Sequence, residues 1–300
     1  MPLYFPGLAG DIMIKIKRMG LHTFMAVPAF LLFALFFIYP LTRGVQMSLT
    51  DWDGLSPAKF IGFKNFIDFF SDSRAISDIK TTILFAVFSA PLLNIAGLIY
   101  ALLMNGEFKG KGFARGIIYL PAIISPLIMG YIWYFLLQPE RGFLYHALDL
   151  IGMSSLLGNW MGKYSYAMMV LVLVNVWQYA GMTMVIYLAG LQSISEELYE
   201  SAKIDGAGTW QIFRYVTLPL LMPSIRINIV TNIIGSLSVF DIVMSLTNGG
   251  PGYSTETLSI YIMRMCYGSK TGYSTAVALI LFIIILVPVI VSMRLTKSKD

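Results

Sequence analysis

Residues Glu196–Pro219 read EELYESAKIDGAGTWQIFRYVTLP, the longest mixed polar segment in the second half of a largely apolar chain. Just ahead of it, Ser193 and Glu196 have the S-x-x-E spacing of a capping box, in which each side chain satisfies the other residue's free backbone N–H. Ile194, Leu198 and Ala202 then recur four residues apart, which predicts a first helix with one narrow apolar face. Asp205-Gly206 is a turn signal, because glycine takes the left-handed conformation that closes a helix. Thr209 is placed to cap a second helix carrying Trp210 and Phe213 on one side, with Pro219 ending it. Two short helices about a sharp corner, set between apolar runs, make a shape that a cytoplasmic partner can grip.

The surroundings explain why so polar a stretch stands out. Of 300 residues, 57% are hydrophobic and 12% charged, against about 25% charged in an ordinary soluble domain. The mean hydropathy is +0.73. One all-α domain embedded in a bilayer is expected. The net charge of +5 needs no nucleic acid, since basic residues facing the cytoplasm account for it. A single cysteine, Cys266, rules out an internal disulfide. His22 and His146 lie too far apart in sequence to suggest a metal cluster, and no cofactor is expected.

Six apolar runs, about 24–42, 81–104, 116–137, 165–191, 225–246 and 274–295, are each long enough to cross a hydrocarbon core of roughly 30 Å. The first lacks a small-residue cleavage site and reads as an uncleaved span. Lys15, Lys17 and Arg18 precede it, Lys109, Lys111 and Arg115 crowd the short link Asn105–Arg115, and Arg294, Lys297 and Lys299 sit at the end. Gln138–Tyr164 carries only Arg141 and Lys163. The bias puts both termini (1–23 and 296–300), the link and the loop 192–224 on the cytoplasmic side. Arg43–Lys80 then lies outside. There Asp51-Trp52-Asp53-Gly54 reads as a turn, and the Phe- and Ile-rich run from Phe60 to Phe70 as a short helix at the membrane surface or a loop packed on the span ends.

Glu200-Ser201-Ala202, then Gly206, then Val216-Thr217-Leu218-Pro219 resembles the pattern E-A-A, three residues, G, nine residues, I-x-L-P of bacterial ABC importer permeases. Ser201 replaces an alanine and Val216 an isoleucine. Thr247-Asn248-Gly249-Gly250-Pro251, with Ser254-Thr255 behind it, looks like the segment after the fifth core helix of maltose-type sugar permeases, first-permease class. The resemblance implies a six-transmembrane-helix permease core over 24–295 with cytoplasmic coupling helices. It implies that the loop docks on a separate ATP-binding subunit, working as a dimer, with Glu200, Ser201, Ala202, Asp205, Gly206, Leu218 and Pro219 transmitting its motion. Glu200 would pair with the partner, Ala202 would permit close approach, and Gly206 would set the angle between the helices. A second homologous permease, an extracytoplasmic solute-binding protein and a sugar complete the implied set. Placed without gaps from Trp177 and Thr247, the resemblance assigns substrate contact to Gln178, Tyr179 and Met182, and to Asn232, Gly235, Ser236 and Val239.

The residue chemistry agrees with that assignment in kind. Asn, Gln and Ser offer the neutral donors and acceptors that sugar hydroxyls need, and aromatic rings stack on the apolar faces of the sugar. Asn232 and Ser236, four apart, share a helix face. Asn175 reads as interhelical glue, and Met168 and Met169 as span filling. Trp133, Tyr134 and Trp160, near span ends, read as interfacial belts. Asp241 is the one acid inside an expected span, near its outer end, where water or a loop can meet it. The nearest approach to a phosphate-binding loop, Gly106–Gly112, is one residue short between its glycines and lacks the hydroxyl. The chain therefore reads as non-catalytic. The alternatives are a permease for a related solute such as glycerol phosphate, or an ion-gradient-driven transporter. The latter would carry paired midplane acids that this sequence lacks.

Overall fold

The computed structural model describes residues 26–158 and 160–296. The expected N-terminal segment 1–23, with Lys15, Lys17, Arg18 and His22, and residues 297–300 of the tail lie outside the described residues. Among the described residues the structure is helical, with one isolated bridge between Thr50 and Phe60. Four helices are long and apolar enough to span a bilayer: α1 (Ala26–Ser48), α3 (Ser73–Asn105), α7 (Tyr164–Gln192) and α13 (Thr271–Leu295). A short helix, α2 (Lys64–Ser71), lies between the first two.

The other two expected spans are not straight. Where one helix was expected over 116–137, α4 (Lys111–Ile123) and α5 (Pro126–Leu136) meet at 96°. The cause is local: proline disfavours the helical region for the residue before it, and Ser125, with ψ 130°, has left that region, as has Ile124 ahead of it. The run 225–246 is likewise divided. Helix α10 (Met222–Leu237) ends at Ser238, and α11 (Asp241–Leu246) begins after Phe240, whose φ of −135° and ψ of −65° leave the helical region. Thr257 donates its hydroxyl to the carbonyl of Val239 at 3.0 Å, satisfying a group that the break frees. The span expected at 81–104 starts earlier, at Ser73. Asp72 caps it, accepting from the N–H groups of Arg74 at 2.9 Å and Ala75 at 3.4 Å.

Helices α3 and α7 form the spine of the bundle, α10 crosses both, and α4 packs on α7. Small residues permit these approaches. A Cβ on Gly181 of α7 would collide with the backbone of Ile118 and Tyr119 in α4, and one on Gly97 of α3 with Thr183 of α7. In the same seam Asn175 donates to the hydroxyl of Ser89 at 2.7 Å, the gluing role its position suggests. Trp160 is buried, not part of a belt. Its indole N–H donates to the carbonyl of Leu137 at 2.8 Å, and α5 and α7 pack over it. Trp133 meets Trp177 edge-on with ring centres 5.2 Å apart. Met168 is buried, whereas Met169 faces outward.

At the Ser73 end of the bundle, a charged seam ties α3 to the segment Thr247–Thr257 and to α12 (Leu258–Tyr267). Glu256, fully buried, accepts from Arg74 through Nε at 2.7 Å and Nη2 at 3.0 Å, and pairs with Nε of Arg264 at 3.2 Å. Arg264 also donates to the carbonyl of Asn248 at 2.8 Å, and the guanidinium of Arg74 lies over Tyr253, 3.8 Å from the ring centre. Asp78, inside α3, is a second acid within a span and is fully buried beside this seam, so Asp241 is not alone.

Candidate functional site

At the opposite end, α7 runs into the corner whose sequence opened the reading. Helix α8 covers Glu196–Ile204 and α9 covers Thr209–Leu220. The corner closes as expected at Gly206, with φ +78°. Gly206 N–H bonds to Lys203 O and Ala207 N–H to Ala202 O, each at 3.0 Å, the two bonds of a Schellman motif.

The expected caps differ. Ser195 is the N-cap of α8, and the Ser193–Glu196 box does not form, because Ser193 closes α7 and its hydroxyl donates back to Gly190 O at 2.7 Å. At α9 the N-cap is Gly208, whose N–H bonds to Oε1 of Gln211 at 2.7 Å, so Thr209 is the first helical residue rather than the cap. Pro219 does not stop α9. The preceding turns, Phe213–Thr217, widen to a π-helix, and α9 runs one residue past the proline before the chain turns by 68° into α10.

Of the residues assigned to coupling, Glu200, Ser201, Asp205, Gly206 and Pro219 are exposed, while Ala202 and Leu218 are half-buried. Beside them Ile204, Trp210 and Tyr215 expose large apolar surface; of the three, sequence reading singled out only Trp210, because nothing in a sequence says which face stays uncovered. Thr217, buried, donates to the hydroxyl of Tyr199 at 3.4 Å and links α9 to α8. Leu221, fully buried, roots the segment in a cluster with Ala101, Met184, Tyr187, Leu188 and Leu191.

Between α7 and α10 lies a cleft of about 340 Å³, within the usual size range of small-molecule sites. Tyr179 and Met182 line it from α7, Asn232, Gly235 and Ser236 from α10, and Val239 from the break that follows. Six of the seven sequence-assigned residues thus meet on one wall system. Gln178 does not: it is fully buried one residue round the helix, with its amide nitrogen donating to the carbonyl of Ile124 at 3.2 Å. Gly235 faces open space.

Two residues that sequence reading missed complete the polar row. Asn228, four before Asn232, donates to the carbonyl of Thr183 at 3.3 Å, and Thr183 donates to the side-chain oxygen of Asn232 at 3.3 Å. Those bonds occupy one end of each amide. Oδ1 of Asn228, Nδ2 of Asn232 and Oγ of Ser236 remain without partners, although all three atoms are buried. The four-residue spacing of 228, 232 and 236 is the signal that would have found Asn228. Asp241 stands at the rim, exposed, as the first residue of α11.

Comparison with known proteins adds to this geometry. Residues 93–298 match the family described as binding-protein-dependent transport system inner membrane component. The chain is 34% identical over 276 residues to the probable ABC transporter permease protein YurN of Bacillus subtilis, covering 91% of this chain and 94% of that one. It is 30% identical over 287 residues to the trehalose/maltose transport system permease protein MalF of Thermococcus litoralis, covering 95% and 97%. Among solved structures, a chain of a bacterial ABC transporter involved in import of the acidic polysaccharide alginate superposes with a TM-score of 0.80 at 28% identity, covering 95% of this chain and 98% of that one. The family match takes in more than half of the chain, and the relatives align almost end to end. The chain therefore belongs to the binding-protein-dependent inner membrane components, the permease subunits of ABC importers.

Proposed function

We propose that the chain forms half of the translocation path for an uncharged sugar or oligosaccharide, handed over by an extracytoplasmic binding protein. The observation that carries this reading is the row of unpartnered neutral groups in the α7–α10 cleft. A buried polar atom without a partner costs about 1–3 kcal/mol. Asn228 Oδ1 accepts, Asn232 Nδ2 donates and Ser236 Oγ does either, so when the cleft wall opens to them a solute with many hydroxyls relieves all three. Tyr179 supplies a ring for the apolar face of a pyranose, Gly235 leaves room, and Met182 and Val239 close the apolar walls. Gln178 holds α7 against the end of α4 and acts on the site through that contact. Sugar names among the relatives, trehalose/maltose for one, support the same class.

ATP hydrolysis belongs to a separate pair of subunits. The exposed side of α8 and α9, with Glu200, Ser201, Ala202, Asp205 and Gly206 around the corner and Leu218-Pro219 at the far end, docks on them in the cytoplasm. A rigid corner rooted by Leu221 passes on a partner's motion that a flexible loop would absorb. The second wall of the path comes from a second, homologous permease. A solved alginate transporter is described in complex with a pentasaccharide-bound periplasmic protein, which supports a docked binding protein; the Ser73 end is the face it meets in this reading. The protein then lies in the bacterial cytoplasmic membrane with both termini inside.

The test is uptake by proteoliposomes holding the assembled importer, with maltotriose and binding protein outside and ATP inside. ATP-dependent accumulation that falls at least tenfold in Asn232→Leu is expected. Accumulation driven by an ion gradient without ATP would overturn the reading.

A further inference from the structure

Helix α2 has three faces, and the proposed transport function uses none of them. At about 100° per residue, Asn65, Phe66 and Phe69 share one side, which faces the bundle. Asn65 donates to the carbonyls of Ser48 and Thr50, both at 2.8 Å, and Phe69 is fully buried in a cluster with Tyr261, Val277, Ile280 and Leu281. Lys64, Asp68 and Ser71 share a second side, exposed and polar. Phe63, Ile67 and Phe70 share a third, and they are 71%, 64% and 65% exposed. Phe60, just ahead of the helix, is exposed as well.

A surface helix that met only protein and water would carry two faces, one apolar and one polar. The third, apolar face here continues round the helix from the bundle-facing side, from Phe66 to Phe70, meets the polar stripe at Ile67, and stays uncovered by protein. We propose that it is buried in the headgroup–acyl boundary of the bilayer, making α2 an interfacial anchor. Its level fits. Phe69 shares its cluster with Val277, Ile280 and Leu281, which lie at the start of the uninterrupted apolar run of α13, so α2 sits where that span enters hydrocarbon. An amphipathic helix at that depth buries its apolar side about 5–10 Å into the boundary and leaves its polar side in water.

Besides Phe69, the anchor reaches the transport machinery through the residue that follows it. Asp72 follows α2 directly, caps α3, and accepts a 2.6 Å bond from the hydroxyl of Tyr261 in α12. The bilayer surface thereby holds the ends of α3 and α12 that frame the Glu256 seam.

The test places single nitroxide labels on cysteines in a Cys266→Ser background, with the assembled importer in lipid nanodiscs. Labels at Phe63→Cys, Ile67→Cys and Phe70→Cys are expected to be open to oxygen and closed to a water-soluble nickel chelate. Lys64→Cys, Asp68→Cys and Ser71→Cys should give the reverse. All six positions but Phe63 lie within the helix and all are exposed, so transport activity of each unlabelled variant checks its fold. Nickel access at Ile67 equal to that at Asp68 would place the face in water and overturn the proposal. Exclusion of both reagents would overturn it too, by showing that the second permease or the binding protein covers the face.

Discussion

In the proposed sugar cleft, Ser236 sets stability against binding. Its hydroxyl is buried and without a partner in the unloaded cleft, so removing it removes a desolvation cost. Ser236→Ala is expected to raise the stability of the unloaded permease by about 1 kcal/mol while weakening sugar binding about fivefold, roughly 1 kcal/mol. A melting curve with and without sugar checks both signs at once. Gly181 works the other way, because its cost is purely steric. Any Cβ there meets the backbone of α4, and backbone cannot rotate aside as a side chain can. Gly181→Val should cost about 3 kcal/mol by overpacking, read as a lower melting temperature in detergent. The same kind of reasoning explains Gln178. Sequence numbering puts it next to Tyr179, but one residue is about 100° of rotation on a helix, enough to turn it from the cleft to α4.

Helices transmit what residues begin. In α8–α9 the corner depends on Gly206 at φ +78°, where a side chain costs roughly 1–2 kcal/mol. Gly206→Val is therefore expected to uncouple ATP hydrolysis from uptake while leaving sugar binding by the cleft intact; comparing the two assays separates coupling from folding. At the other end, Glu256 holds α3 and α12 together through Arg74 and Arg264, whose side chains are 30% and 22% exposed. Breaking a buried pair costs about 3–5 kcal/mol, and the residual solvent contact of both guanidinium groups favours the low end. Glu256→Gln should lower thermal stability by about 3 kcal/mol. Loss of stability without loss of the Schellman corner, followed by hydrogen exchange, would locate the damage at the Ser73 end.

The assembled importer is the setting for the remaining expectation. With Cys266 replaced by serine, a cysteine at the half-buried Ala202, near exposed Glu200 on α8, probes the proposed docking side. Cross-linking from Ala202→Cys in native membranes is expected to capture an ATP-binding subunit, with a yield that changes when nucleotide is added. Equal capture from a cysteine at Lys109, on the neighbouring short link, would sink the assignment of that face. The exposed Ile204, Trp210 and Tyr215 give the proposed docking surface its apolar content, and truncating Trp210 to alanine should weaken capture.

Composition and run length were enough to establish a helical membrane bundle, because a bilayer accepts little else from about twenty apolar residues in a row. Spacing alone located the corner at Gly206, since a left-handed position is a demand that one residue type meets. Six of the seven substrate assignments also fell around one cleft. What the linear order did not carry was anything that depends on rotation about a helix or on a neighbour in space. The bend before Pro126 has a local cause and Gln178 leaves the cleft by rotation about its helix, whereas the break after Leu237 and the entry of Asn228 and Thr183 into the cleft arise from packing between distant segments. So does the Glu256 seam, whose partner Arg74 lies 182 residues away in the chain. Local pattern sets which segments are helical and apolar; only their contacts set which face of each is left for a solute, a partner or a lipid.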